Sequence, residues 1–142
     1  MPSILPPPAR VPSGAYGGGG FYQQPQPNRK VLSAGTAGSP VSTVYTVPLR
    51  TTTEITSIHA HNYDAGAQTL DVYVRDPSGT SSLIHRISMN AATSSAANNV
   101  MSGMTICLGP DWEVRLLASK AASIDYLITG IEYFIPTGGA TA

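Results

Sequence analysis

The stretch Gln68-Thr-Leu-Asp-Val-Tyr-Val-Arg75, followed by Asp76-Pro-Ser-Gly79, decides how the rest of the chain is read. Leu70, Val72 and Val74 alternate with Asp71, Tyr73 and Arg75, the period of two that a half-buried β-strand requires. The first set is expected to point inward and the second outward. Asp76-Pro77-Ser78-Gly79 places proline at the second position of a tight turn, where its fixed φ is already correct. The turn leads into Ser82–Met89, with Leu83 and Ile87 on one face and Ile84 and Arg86 on the other.

Segments of the same kind lie on both sides. Val41–Val47 is rich in β-branched residues, and in Glu54–Asn62 the residues Thr56, Ile58 and Ala60 share one face while His59 and His61 share the other. After the small, polar stretch Asn90–Asn98, Val100–Leu108 resumes a strand-like pattern. Gly109-Pro110-Asp111 turns into Trp112–Ala118, Ser119–Ala122 turns again, and Ser123–Ile135 is the last and longest strand. Seven strands without a 3.6-residue period predict an all-β fold, an antiparallel β-sandwich of jelly-roll or Ig-like type, over residues 41–142.

Residues 1–40 read differently. They hold eight of the twelve prolines and seven of the fourteen glycines, including Gly17-Gly18-Gly19-Gly20. Proline removes backbone donors and glycine raises the entropy cost of ordering, so neither helix nor sheet ladder is expected here. The expectation is an extended Pro/Gly-rich N-terminal arm that orders on a partner. Tyr16, Phe21 and Tyr22 flank the glycine run as apolar plugs, and Arg10, Arg29 and Lys30 supply its only charges. Deleting residues 1–40 should accordingly leave a folded domain.

Charge bounds the function classes. Charged residues make up 11% of the chain, against roughly 25% in an average soluble domain. Eight Lys+Arg balance eight Asp+Glu, split as +3 on residues 1–40 and −3 on residues 41–142. No basic excess supports a free-standing nucleic-acid binder, and three cations over forty residues are thin for phosphate contact, so no direct nucleic-acid partner is expected. A weakly charged surface with zero net charge favours association. No apolar run reaches the roughly 18–20 residues of a membrane helix, and the prolines near Met1 interrupt any signal-peptide core. A soluble protein made in a cytoplasm, with no membrane partner, is expected.

Catalytic signals are weak. His59 and His61 project from one strand face as metal ligands can, and Asp64, Asp71 and His85 are possible further ligands. Ala65 and Gly66 stand where a cupin-type motif needs its Glu, so no metal site is expected. Gly-x-Ser-x-Gly is absent, and the glycine run lacks the Gly-Lys-Ser/Thr ending of a phosphate loop. Cys107, the only cysteine, sits among Met104, Ile106 and Leu108 and reads as a buried structural thiol. Trp112 reads as a core residue, with a sugar-stacking platform as the alternative. No enzyme activity and no cofactor are expected.

Four runs carry a resemblance: Thr53-Glu-Ile-Thr-Ser-Ile-His-Ala-His-Asn62; Thr69-Leu-Asp-Val-Tyr-Val74; Leu108-Gly-Pro-Asp-Trp-Glu-Val-Arg-Leu-Leu-Ala-Ser119; and Ile124-Asp-Tyr-Leu-Ile-Thr-Gly-Ile-Glu-Tyr133. Together they resemble the small β-sandwich accessory structural proteins of tailed bacteriophage virions. The resemblance covers about residues 44–135 and none of the arm, and Gly109-Pro110-Asp111 permutes the family's Pro-Gly-Asp-like turn. It implies a structural role in the virion, with no catalytic residues to carry over. The expected role is a capsid decoration or cement protein that straps neighbouring subunits through the arm. A neck or tail accessory, or a host-glycan-binding module, is the alternative. The expected partners are the major capsid protein or other virion subunits and further copies of the chain, assembled as a homo-oligomer on the particle.

Overall fold

The computed structural model describes residues 28–93 and 98–136, with the backbone alone for residues 98–104. Eight strands are present: β1 (Arg29–Thr36), β2 (Ser42–Thr46), β3 (Thr51–Asn62), β4 (Gln68–Arg75), β5 (Ser81–Met89), β6 (Asn98–Leu108), β7 (Glu113–Ala118) and β8 (Ile124–Phe134). They form two four-stranded antiparallel sheets, ordered β1-β8-β3-β6 and β2-β7-β4-β5. β1 pairs with β8, β2 with β7, β3 with β6 and β4 with β5. One long antiparallel ribbon, doubled back at Asp76–Gly79, has therefore been rolled into two layers. This is the jelly-roll order.

The apex of the ribbon is built as its sequence specifies. The Gly79 N–H donates to the Asp76 carbonyl (2.9 Å), and the Asp76 carboxylate accepts from the Ser78 and Thr80 N–H groups at 2.9 and 3.0 Å. Gly79 adopts φ 98°, a conformation open to glycine. Leu70, Val72 and Val74 point into the core as the alternation requires, joined by Ile58, Ile87, Val114, Leu116, Ile124 and Ile128. Trp112 packs half-buried against this core.

Three details depart from the sequence reading. Arg29–Thr36, placed in the arm, is the edge strand β1, paired with Tyr126, Leu127 and Ile128 among others. The prolines lie outside this stretch, whose single glycine sits near its end, so nothing in it forbids a ladder. Leu83 and Ile87 do not share a face, because a register shift opposite Val72 and Tyr73 puts Ile84 in a bulge and swings Leu83 outward. Asp71 lies on the outer face but is nearly buried, 6% exposed, beneath Arg86.

Two further bulges flank one residue of β8. β1 skips Leu32 between Val31 and Ser33, opposite Thr129 and Ile128, and β3 skips Thr56 between Ile55 and Ser57, opposite Gly130 and Thr129. A Cβ at Gly130 would overlap the Glu54 carbonyl oxygen and stand 2.7 Å from Leu32 Cδ1. A Cβ at Gly38 would meet nothing nearer than 3.6 Å. Gly130→Ala should therefore cost about 3 kcal/mol or more, and Gly38→Ala less than about 0.5 kcal/mol. Equilibrium urea unfolding of the two variants measures the contrast; equal midpoints would mean the bulges relax freely.

Candidate functional site

In a jelly roll alternate connections gather at opposite ends of the sandwich. One end holds the β1–β2, β3–β4, β5–β6 and β7–β8 connections. The other holds the β2–β3, β4–β5 and β6–β7 connections, the start of β1 and the finish of β8. Asn28, at the start of β1, thus lies at this second end.

Of the six residues expected to contact a partner, Arg10, Tyr16, Phe21 and Tyr22 lie outside the described residues. Arg29 and Lys30 begin β1, in register with Ile131 and Gly130. Arg29 is exposed. Lys30 forms an ion pair with Glu132, which also accepts a hydrogen bond from the Tyr45 hydroxyl. Tyr45 reaches the Thr53 hydroxyl at 3.0 Å, so this network joins β2 of one sheet to β1, β3 and β8 of the other. Burial pushes the Glu132 carboxyl up, but hydrogen bonds from Lys30 and Tyr45 outweigh it and leave the group below its ordinary value. Burial, reinforced by Glu132, pushes the Tyr45 hydroxyl well above its ordinary value. Lys30 thus belongs to the folded domain, with its side chain still 54% exposed, and the charge split changes. Residues 1–27 carry one cation, Arg10, and the remainder seven cations against eight acids.

Beside this network a cleft of about 270 Å³ is lined by Asn28, Lys30, Thr51, Glu132 and Phe134. Phe134, which lines it, is 61% exposed, while the neighbouring Tyr133 takes the opposite phase of β8 and donates its hydroxyl to Glu54 at 3.1 Å. The Ile135 N–H donates to the Arg50 carbonyl at 2.7 Å and Phe134 lies opposite Thr51, which brings the end of β8 against the β2–β3 turn. Sequence reading missed both features. The signal for Glu132 was present, since it follows Tyr126, Ile128 and Gly130 in the inward phase of β8. A second cleft, about 280 Å³, is lined by Thr46, Arg75, Asp76, Pro77, Asp111 and Glu113.

The possible metal ligands are dispersed. His59 is exposed on the outer face of the first sheet, and the His61 ring meets the Tyr63 ring edge-on, centroids 4.4 Å apart. His85 and Asp71 belong to the second sheet. Asp64 accepts hydrogen bonds from Lys120 (2.5 Å), Gln68 (2.9 Å) and the Gly66 N–H (3.0 Å). Asp125 accepts from Thr36 and Tyr63 at 2.6 and 2.8 Å. Among the described residues no three His, Cys, Asp or Glu side chains converge as a metal site would require. Cys107 is exposed, which corrects the expectation of a buried thiol. It faces Glu54 across the β3–β6 ladder, on the outward phase opposite to that of buried Leu108.

No family model matches the chain, and no curated protein does. Among solved structures it is similar to a protein from a study titled "Bacillus endospore appendages form a novel family of disulfide-linked pili", at 16% identity and a TM-score of 0.44 over 78% of this chain and 88% of the other. It is similar to the cyanophage Pam1 capsid asymmetric unit at 15% identity and 0.39, over 96% and 100% of the two chains. A third similarity, at 9% and 0.33, is to infectious bursal disease virus strain Gt, covering 77% of this chain and 33% of that one.

The charged groups make acid stability testable. The Lys120, Gly66 and Gln68 hydrogen bonds pull the Asp64 carboxyl down to about 2 from its ordinary 3.8. The folded value lies below the unfolded one, so this contribution is complete above about pH 4 and is lost as pH falls toward 2. Melting temperature measured from pH 5 to pH 2 should fall less steeply for Asp64→Asn than for the wild type. Parallel curves would mean that Asp64 is not preferentially stabilised as a carboxylate.

Proposed function

We propose that this chain is a structural protein of a tailed-bacteriophage virion, a capsid decoration or cement protein. The jelly roll would sit on the particle surface while residues 1–27 lie across neighbouring capsid subunits as a strap. The observation that carries this reading is the arrangement of the two parts: a closed eight-stranded jelly roll, an architecture common in viral capsid domains, with its N-terminal segment leaving from an edge strand at one end. Its low charge supports it, because weakly charged surfaces associate readily. Each arm contributes few contacts, and particle symmetry multiplies them through effective concentration.

The role is mechanical, and no residue is assigned to catalysis. A neck or tail accessory would use the same parts at another place on the particle. In the glycan-binding alternative Trp112 is a poor platform, since its ring packs against the core.

The boundary of the strap matters to its test. Removing residues 1–40 would strip β1 from β8 and expose Tyr126 and Ile128, so that truncation should unfold or aggregate, contrary to the expectation from sequence. Removing residues 1–27 should leave the melting temperature within a few degrees of the full chain. The full chain is expected to co-sediment with particles assembled from the major capsid protein of the same virion, and the 1–27 deletion to remain at the top of the gradient. Full occupancy by the deletion would overturn the strap.

A further inference from the structure

A chain of zero net charge meets further copies of itself without long-range repulsion, and the fold narrows the surface it can use. The four edge strands are β1 and β6 in one sheet and β2 and β5 in the other. Each departs from regular pairing. β1 bulges at Leu32, β2 at Val44 and β5 at Ile84, and the register of β6 against β3 shifts between Ser102 and Ile106. Such irregularity breaks the even row of N–H and C=O groups that a further strand would need. The outer faces of the sheets remain.

The two faces differ in how their charges are matched. On the second sheet Asp71 pairs with Arg86 at 2.5 Å, and Glu113 lies 3.7 and 3.9 Å from Arg75 and Arg115. On the first sheet Arg29, Ile131 and Glu54 form one outward row across β1, β8 and β3. Arg29 and Glu54 are held roughly 10 Å apart there, at about 4.8 Å per strand. Among the described residues neither belongs to an ion pair. The next two outward rows, Val31-Thr129-Ser57 and Ala34-Leu127-His59, hold no Asp, Glu, Lys or Arg.

We propose that the outer face of the β1-β8-β3-β6 sheet binds the same face of a second copy of this chain about a two-fold axis running along β8. That axis lays β1 of one copy over β3 of the other, so Arg29 meets Glu54 twice and Ile131 packs on its own counterpart between the two pairs. A two-fold axis perpendicular to the strands would instead set Arg29 against Arg29 and Glu54 against Glu54, so charge selects the first arrangement. Aligned sheets cross at about −30°, which keeps the Ile131 rows together and splays the strand ends, where the Asp125 carboxylates lie. The face is four strands wide with central strands of eleven and twelve residues. It covers roughly 700 Å² at about 4.8 Å per strand and 3.4 Å per residue, and a standard interface takes about 800 Å² from each partner. The inference does not require the virion reading: purified protein decides the one, and particle binding decides the other.

Sedimentation velocity of the full-length chain over a range of concentrations tests it. The wild type should dimerise, while Arg29→Glu and Glu54→Arg should each do so roughly tenfold more weakly or worse. The double change Arg29→Glu/Glu54→Arg should dimerise like the wild type, because it restores both pairs in the reversed sense. Val31→Asp, at an exposed position of the same face, should weaken dimerisation as well, whereas Leu83→Asp on the other sheet should leave it unchanged. Unchanged melting temperatures certify that the variants fold. A monomeric wild type, dimerisation that survives the single reversals or Val31→Asp, an equal loss with Leu83→Asp, or a folded double variant that stays monomeric would each overturn the proposal.

Discussion

The closure of the roll depends on one close approach. At Gly130 three strands of one sheet come together with no side chain between them: β8 carries the glycine, β3 brings the Glu54 carbonyl, and β1 brings Leu32. The bulges at Leu32 and Thr56 lie on either side of it and tighten the local twist. The bulge in β1 frees Leu32 from the alternation, so that its side chain lies over the space a larger residue at 130 would occupy and packs against the core. In β3 the bulge shifts the phase, and Thr51, Thr53 and Ile55 are buried before it while Thr56, Ile58 and Ala60 are buried after it. The core of the first sheet is continuous because that shift occurs where the glycine permits it.

Polar groups then fix the two layers against each other. Ser33 donates to the Val44 carbonyl at 2.7 Å, and Tyr45 reaches Thr53 and Glu132, so β2 is tied to the opposite sheet at two levels. Fully buried Asn62 donates to the carbonyls of Gly66 and Asn90 at 2.8 and 2.9 Å and accepts from the Asp64 N–H, holding two connections at the other end. No buried side-chain polar atom among the described residues lacks a partner. That completeness matters because an unsatisfied buried group costs about 1–3 kcal/mol. The layers are consequently specified as well as held, and the Lys30–Glu132 ion pair ties β1 to β8 at the edge of the first sheet.

Much of the fold was legible in the sequence, for reasons that differ from strand to strand. β4 and β7 are flanked by partners on both sides within one sheet and bury one face, so Leu70-Val72-Val74 and Val114-Leu116 show undisturbed alternation. β5 lies at an edge, where Ile84 can bulge without breaking a second ladder, and its faces were assigned wrongly. β1 was hidden by composition: a window spanning residues 1–40 averages the prolines of its first part with the strand-compatible Arg29–Thr36. The order of strands was beyond local pattern, because pairings such as Thr36 with Asp125 join residues 89 positions apart. The cleft was equally illegible, since Lys30, Thr51 and Phe134 look like any strand-end residues until the roll brings distant parts of the chain together. Arg29 and Lys30 were correctly noticed as charges but placed in the wrong part, and Cys107 was judged by its apolar neighbours when its phase decided its exposure.

The nested pairing has a consequence for how the protein comes into being. Contacts grow steadily less local from the Asp76–Gly79 turn outward: β4 with β5, then β3 with β6, β2 with β7, and finally β1 with β8. Loop closure is cheapest for the inner hairpin and is assisted at each later step by the pair already formed. Loop-closure entropy therefore favours an assembly order from the middle of the chain toward both ends, and non-local pairing of this kind is associated with slow folding. Of the described strands, β1 comes first in the chain, and its partner β8 comes last. Until β8 has been synthesised, β1 has no partner to pair with, and the first sheet cannot be completed.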